Sequence, residues 1–520
     1  MTETYHADVL VLGGGLSGYS AALRARKAGA EVMLLSAGAG ASPNVNGFCA
    51  WTDGREESLN FLKRMALEAG RGINRQKLLE AGLRNSAHAY QDLAAYGVPI
   101  RFDKGRTMAT PNGPITCGYR TDEELGKCAL PILRQAAQAQ GIILLSGHVY
   151  APLVQNGQIR GAIAVSEGIR HTILARSVVL AMGGLGRLFP SSTYPGDVSG
   201  AAAAFALAAG ASVGDMEFLS YEPAVLCGLE QVGSMPLPTA LYSKGCVLVN
   251  GLGERFMKTR YGIEERDMKK QGPLNKEWLA ACIQREIREG RGTPNGGVWY
   301  DCRDVDWGEI ERFTLKTARL QAAGVDLKTT PVEVRPQPHS HMGGVVVDET
   351  CMTDIGGLFA CGEAVCGFYG AGRLAGFGGT SAVSLGDIAG ASAARYAKTV
   401  GSILGGNVPQ ILRKARFSSP QEQVAIMKQA FPLYKQADAL QEGISRLRKT
   451  QSNEMLDGDD PDTFAQAAAA TLSLAVLLAA DMRWENRGCF LREDYPTENP
   501  DHVHSIHFSL DSNGQLRANS

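Results

Sequence analysis

Short, almost wholly apolar runs recur along the chain, each followed by a glycine cluster or a helix-forming stretch. Residues 8–12 (DVLVL) have the pattern of a strand buried on both faces of a parallel sheet. Residues 16–28 (LSGYSAALRARKA) are rich in good helix formers, and Gly29 is placed as a C-terminal stop. Residues 31–35 (EVMLL) read as a second strand, so the first 35 residues predict one βαβ unit. Beyond it, 56–98 reads as mainly helical, and 142–150 and 161–165 read as strands. Residues 177–181 (SVVLA) predict another buried strand, ending at Gly183-Gly184, and 200–210 a small-residue helix that packs closely on a sheet. From about 225 to 340 charge rises and apolar runs shorten, which predicts an inserted domain. Strands return at 344–347 and 357–361, a helix is expected over 383–399, and 409–485 reads as almost wholly helical. Asp511-Ser512-Asn513-Gly514, between IHFSL and QLRA, predicts a hairpin.

At 520 residues the chain exceeds what one core supports, since cores stop growing at about 250–300 residues. With 52 basic and 53 acidic side chains there is no charge excess to hold nucleic acid or an anionic membrane, so neither is expected as a partner. The 62 glycines cluster at the ends of apolar runs, where a backbone approaches a ligand or takes φ > 0. The 11 cysteines form no C-x-x-C pair, which removes support for a zinc ribbon, an attached haem or an iron–sulfur cluster, and no metal site is expected. An odd, scattered set of cysteines fits a reducing compartment. Residues 464–480 come closest to a membrane span but read as a buried Ala-rich helix. No leader pattern precedes the first strand. The expectation is a cytoplasmic protein without direct membrane insertion.

Gly13-x-Gly15-x-x-Gly18 falls between the first strand and the first helix. There the first glycine makes a tight turn, the second lets the backbone approach a pyrophosphate, and the third lets helix and strand pack closely. The helix N-terminus then offers unpaired N–H groups to phosphate charge. The pattern alone is weak; with strand, helix and second strand at these spacings it predicts a dinucleotide site. Ser36 stands where an acidic ribose contact is usual.

Several further segments stand in a fixed order: 178–188 (VVLAMGGLGRL), Gly196-Asp197, Asp215-Met216-Glu217-Phe218, Gly253-Glu254-Arg255-Phe256-Met257, Arg266-Asp267 and Glu289-Gly290-Arg291-Gly292. His339-Ser340-His341-Met342-Gly343-Gly344, Gly362-Glu363-Ala364, Gly370-Ala371-Gly372-Arg373-Leu374, Glu485-Asn486-Arg487-Gly488 and Arg492-Glu493-Asp494-Tyr495-Pro496 follow. In this order they resemble the FAD-dependent fumarate reductase and succinate dehydrogenase flavoproteins, a family that includes L-aspartate oxidase and enoate reductase relatives. The resemblance covers nearly the whole chain. It implies an α/β fold: a Rossmann-like FAD-binding domain (1–225 and 341–402), an inserted α+β capping domain (226–340), and a C-terminal helical domain with the tail (403–520).

The resemblance also implies FAD contacts at Gly13, Gly15, Leu16, Ser17, Gly18, Ser36, Gly47, Val149, Ala181, Gly183, Asp197, Gly362, Glu363, Gly378 and Gly379. Glu363 would lie near the ribityl chain and the Gly376–Gly379 backbone near the flavin ring. Members held in membrane complexes attach flavin through a His in the loop after the second strand. Here that loop, residues 36–51, has none, so FAD is expected to bind non-covalently.

Arg373 and His339 match the family's binders of the substrate carboxylate, a task suited to a guanidinium fork. Arg266 matches the family's proton donor. Taken alone, Arg266 sits in a charged stretch and reads as a solvated ion-pair residue. His339 and His341 alternate, so one is expected to face away from the site. Two departures stand out. Glu222-Pro223-Ala224 replaces the family's His-Pro-Thr, and PTALYSK (238–244) keeps Thr239 but lacks the family's Glu and Arg, with Tyr242 or Ser243 at the Arg position. Glu222, Tyr242 and Thr239 are the expected contacts to the distal part of the substrate. A bare Glu222 would repel a second carboxylate, which makes fumarate and succinate poor substrates. The expected activity is hydride transfer between flavin N5 and a small carboxylate-bearing substrate, with a separate electron-transfer protein as partner. Two alternatives stay open: an O2-dependent oxidase of an amino or hydroxy acid, and an electron-transferring flavin subunit of a larger complex.

Overall fold

The computed structural model describes residues 2–519 apart from 46, 103–107, 111–112, 116, 121–124, 230–234, 269–275, 308–318, 404 and 457–459. The chain forms two compact units. One comprises Met1–Pro190, Tyr194–Leu219 and His341–Ser520; the other comprises Ser191–Thr193 and Ser220–Ser340.

The first unit is built on β1 (Thr2–Leu12), α1 (Leu16–Lys27) and β2 (Val32–Ser36), the βαβ unit that the sequence predicts. Four more strands, β3 (Ile143–Ser146), β4 (His148–Gln155), β5 (Gln158–Ser166) and β6 (Ile169–Leu180), join them in the order β3-β2-β1-β6-β5-β4. The strand Leu358–Ala360 also pairs with β6. Pairings β1–β2, β1–β6 and β2–β3 are parallel, whereas β4, β5 and β6 form an antiparallel meander. Val9, Leu10 and Val11 are fully buried, as a doubly covered central strand requires. Helix Gly386–Ala397 packs on α1, and the absence of a Cβ at Gly390 permits it: a methyl there would lie 2.2 Å from Ala21 O.

Residues 409–485 are not wholly helical. They hold helices Pro420–Ala430, Ala437–Thr450 and Pro461–Met482, but Arg413–Ala415 pairs with Gln451–Met455 and Tyr434–Lys435 pairs with Leu491–Arg492. These strands are two to five residues long and mostly polar, so they leave no alternating signal. Residues 403–520 fall within the first unit. Helix Pro461–Met482 is long and apolar enough to cross a membrane, and 72% of its most apolar stretch is buried inside the protein. The tail hairpin forms, with His507–Leu510 against Leu516–Asn519 and Gly514 at φ 68°.

The second unit contains a four-stranded sheet in the order β7-β10-β9-β8, with β7 Leu219–Leu226, β8 Val247–Val249, β9 Val298–Asp301 and β10 Val332–His341. Its core includes Leu248, Phe256, Ile283, Val298, Tyr300 and Val334, all fully buried. Helix α2 (Lys276–Glu286) contributes Leu279 and Ile283 to that core.

Candidate active site

In the first unit the glycine turn is enforced by space. A Cβ at Gly13 would lie 2.3 Å from Ala181 O, one at Gly15 2.6 Å from Ser42 Oγ, and one at Gly18 1.8 Å from Gly13 O. Gly13 also has φ 122°, which L side chains avoid. Leu16 N donates to Ser42 Oγ at 3.0 Å. Gly15 provides no side-chain cap and the first turn of α1 carries no acidic residue, so nothing there opposes a bound phosphate.

Of the other expected contacts, Gly362 lies against this turn, and the rest have local partners of their own. A Cβ at Gly362 (φ 70°) would lie 2.1 Å from Ser17 Oγ, and one at Gly184 would lie 3.1 Å from Glu363 Cγ. Tyr194 donates to Glu363 Oε1 at 2.7 Å. Asp197 Oδ2 accepts from Gly40 N at 2.9 Å, which ties it to the loop after β2. In that loop Ser36 Oγ donates to Gly38 O at 2.6 Å, so the hydroxyl standing in for the usual acid is occupied within its own turn. Gly183 has φ 77°. Val149 stands in β4, opposite Ala164. A Cβ at Gly379 would lie 2.3 Å from Gly47 O, and one at Gly378 would lie 3.5 Å from Arg373 Nη1. The half-buried Arg373 guanidinium therefore lies against the same short helix, Phe377–Thr380.

Two buried features support this region. His341 is fully buried, with Nε2 2.9 Å from Met216 O, Nδ1 3.2 Å from Gly343 N, and its ring stacked on Phe189. Burial pushes its pKa down, so it is a neutral imidazole with both nitrogens engaged. It is thus the histidine of the pair that serves packing. Beside it, Arg483 pairs with Glu217 (2.6 Å) and Glu485 (3.0 Å), all three fully buried, and Arg487 pairs with Glu485 (2.7 Å). Asp215, also fully buried and held at φ 58°, is pushed up to about 7 by burial and then by the nearby Glu217 charge.

In the second unit, His339 Nδ1 lies 2.7 Å from Thr193 Oγ1. When the hydroxyl donates, the proton sits on Nε2, which can then donate to an anion. Arg266 is exposed on the turn Glu265–Asp267; its buried neighbour Glu265 accepts from Leu248 N (2.9 Å) and pairs with Arg255 (3.0 Å).

Two expectations change here, and a third cannot be followed among the described side chains. Glu222 is not a bare anion: Lys276 Nζ lies 2.7 Å from its Oε2, so the repulsion expected from an isolated carboxylate is largely cancelled. Tyr242, expected to contact the distal part of a substrate, is 2% exposed in the unit's core, edge-on to Tyr300 at 5.6 Å. Thr239 opens the turn Thr239–Lys244, and its side chain lies outside the described residues. Lys276, Thr193 and Tyr194 were not legible in the sequence. Each acts through a partner 54 to 169 positions away, and only a contact map could have exposed them.

A glycine-lined strand–turn–helix on a parallel sheet, with Gly362 against it, defines an α/β protein that binds a dinucleotide. The cradle fits FAD, since Gly13, Gly15 and Gly18 leave only backbone where a pyrophosphate must approach. The chain belongs to the family described as FAD binding domain, which matches residues 8–378. It is an FAD-dependent oxidoreductase of the fumarate reductase and succinate dehydrogenase flavoprotein type. It is 28% identical to L-aspartate oxidase of Mycobacterium leprae, over 98% of this chain and 97% of that one. It is 29% identical to one chain of the CoM/CoB fumarate reductase of Methanothermobacter marburgensis, over 97% of each. A solved E. coli quinol fumarate reductase has the same fold, with a TM-score of 0.83, 24% identity, and coverage of 99% of this chain and 96% of that one.

Proposed function

We propose that this flavoprotein reduces or forms a carbon–carbon double bond next to a carboxylate, and that fumarate and succinate are not its preferred substrates. Bound FAD supplies the two-electron hydride chemistry. Arg373 binds the substrate carboxylate through two parallel N–H bonds, and His339, oriented by Thr193, adds a third donor. Together they draw electron density toward the carboxylate and polarise the adjacent carbons. Arg266 delivers the proton to the neighbouring carbon. Because the family's Glu and Arg are absent from 238–244, that proton arrives by a different route. The observation that carries the reading is the placement of Arg373 against Gly378, at the helix expected beside the flavin ring. A separate electron-transfer protein is the proposed partner; one relative is described as part of a multi-subunit fumarate reductase.

The test is spectroscopic. Acrylate and crotonate should perturb the visible flavin spectrum of the oxidised protein saturably, and Arg373→Met should weaken that binding at least 100-fold. Unchanged binding in this variant would reject Arg373 as the carboxylate site. A second reading, re-oxidation by O2, is favoured by the relatives described as L-aspartate oxidase. Stoichiometric hydrogen peroxide during aerobic turnover would select it.

A further inference from the structure

We propose that Cys246 and Cys302 form an oxidisable dithiol, a site where hydrogen peroxide converts two thiols of the second unit into a disulfide across its sheet. The placement comes from the strand register. In the antiparallel pair β8–β9, Val247 lies opposite Asp301, Leu248 opposite Tyr300 and Val249 opposite Trp299. One step further along the same ladder sets Cys246 opposite Cys302. Leu248 N donates to Glu265 Oε1 and Cys246 N to Leu241 O, so both amides point away from β9. Cys246 and Cys302 therefore meet as a non-hydrogen-bonded pair, whose Cα atoms stand about 4.5 Å apart. A disulfide takes Cα separations of about 4.4–6.8 Å.

The side chains agree with the backbone. Cys246, Leu248, Tyr300 and Cys302 are all fully buried, as residues sharing the inner face of the pair must be. The Cys246 thiol and the Cys302 side chain are within hydrogen-bonding reach of each other. Cys282, another cysteine of this core, stands on α2, and its thiol bonds to Tyr261 instead. Burial pushes the Cys246 thiol well above its usual pKa, so in the closed sheet it stays protonated and unreactive. Access comes from the sheet's edge. β8 is three residues long and is the last strand of the described sheet. Such a strand opens locally at less cost than the unit unfolds.

When the strand opens, one thiol loses its proton and attacks peroxide. An S–O bond forms, the O–O bond breaks, and the departing hydroxide takes a proton to become water. The second thiol then loses its proton and displaces hydroxide from that sulfur. The S–O bond breaks, the S–S bond forms, and a second water leaves. The two thiols give up two electrons and two protons, and one peroxide becomes two waters. The link ties β8 to β9. Through Leu248 N and Glu265 it also steadies the turn Glu265–Asp267, which carries Arg266.

The experiment exposes the full-length flavoprotein to hydrogen peroxide, quenches it with N-ethylmaleimide, and maps peptides by mass spectrometry without reductant. A pair joining Cys246 to Cys302 should appear, two hydrogens lighter than the separate peptides, and dithiothreitol should release it. Amide exchange at 247–249 and 265–267 should slow at least tenfold on oxidation and recover on reduction. Cys302→Ser should abolish both effects and Cys282→Ser should keep both; Cys246→Ala repeats the first arm should Cys302→Ser fail to fold. Flavin content and far-ultraviolet circular dichroism confirm that the treated protein and each variant are folded. A link that forms only above the urea unfolding midpoint, links that join other cysteines instead, or thiols that stay reduced throughout overturn the inference. Unaltered exchange at 265–267 in the linked protein would overturn the coupling to the turn that carries Arg266.

Discussion

Asp215→Asn tests the buried ionic network that supports the site. Three carboxyls (Asp215, Glu217, Glu485) share that interior with two guanidiniums (Arg483, Arg487), and Asp215 takes the surplus proton. Gly367 N donates to Asp215 Oδ2, Ser505 lies near it, and the charges around it are Glu217 and Arg483, with Cys366 adjacent. Its pKa moves from the ordinary 3.8 to about 7. A carboxyl raised on folding contributes stability that is present below its unfolded value and is lost as pH rises to its folded value. The window is therefore pH 4 to 7, and the full loss is about 4 kcal/mol. Asn keeps an acceptor for Gly367 N and never ionises. The advantage of Asp215→Asn over wild type should therefore grow by about 2 kcal/mol between pH 5.5 and pH 8. Urea unfolding at the two pH values, followed by flavin fluorescence and circular dichroism, measures it. An advantage independent of pH, or one that grows toward acid, would refute the reasoning. The consequence reaches the site, because Met216 O and Phe218 O, flanking Glu217, accept from His341 and Met342 on the segment following His339.

Three further outcomes are expected. Lys435, fully buried with Nζ 4.2 Å from the Phe431 ring, is pushed down to about 7 by burial, so its stability penalty grows as pH falls from about 10 to 7. Lys435→Met should therefore stabilise the protein by about 2–4 kcal/mol at pH 7, with the gain shrinking toward pH 10; a constant or negative difference in unfolding midpoint would count against this. Gly18→Ala forces a methyl to within 1.8 Å of Gly13 O, and should leave purified protein with less than a tenth of the wild-type absorbance at 450 nm; full flavin content would contradict the turn geometry. Thr193→Val removes the partner of His339 Nδ1 and should lower kcat about tenfold with FAD content unchanged, as steady-state assays would show; unaltered kcat would deny Thr193 a positioning role.

The nucleotide turn was legible because it depends on backbone space. Gly13, Gly15 and Gly18 each meet a backbone or hydroxyl oxygen within 2.6 Å of a notional Cβ, and such crowding selects glycine at fixed spacing. The buried strands β1 and β6 were legible for the same local reason, their continuous apolar runs. The electrostatics of Glu222 were not, because its partner Lys276 lies 54 residues on and belongs to none of the motifs. Tyr242 was misplaced because its position relative to an absent Arg carried no information about which way the turn Thr239–Lys244 faces. The short strands within 409–485 escaped because pairs such as Tyr434–Lys435 with Leu491–Arg492 depend on contacts distant in sequence.

The most direct measurement is anaerobic re-oxidation of the dithionite-reduced flavoprotein by a panel of unsaturated acids, read as return of the absorbance at 450 nm. At least one α,β-unsaturated monocarboxylate should restore the yellow chromophore within seconds, and the same acid should fail with Arg373→Met or His339→Ala. If no acid re-oxidises the protein, or if either variant responds like wild type, the carboxylate-anchored hydride transfer proposed for this chain is wrong.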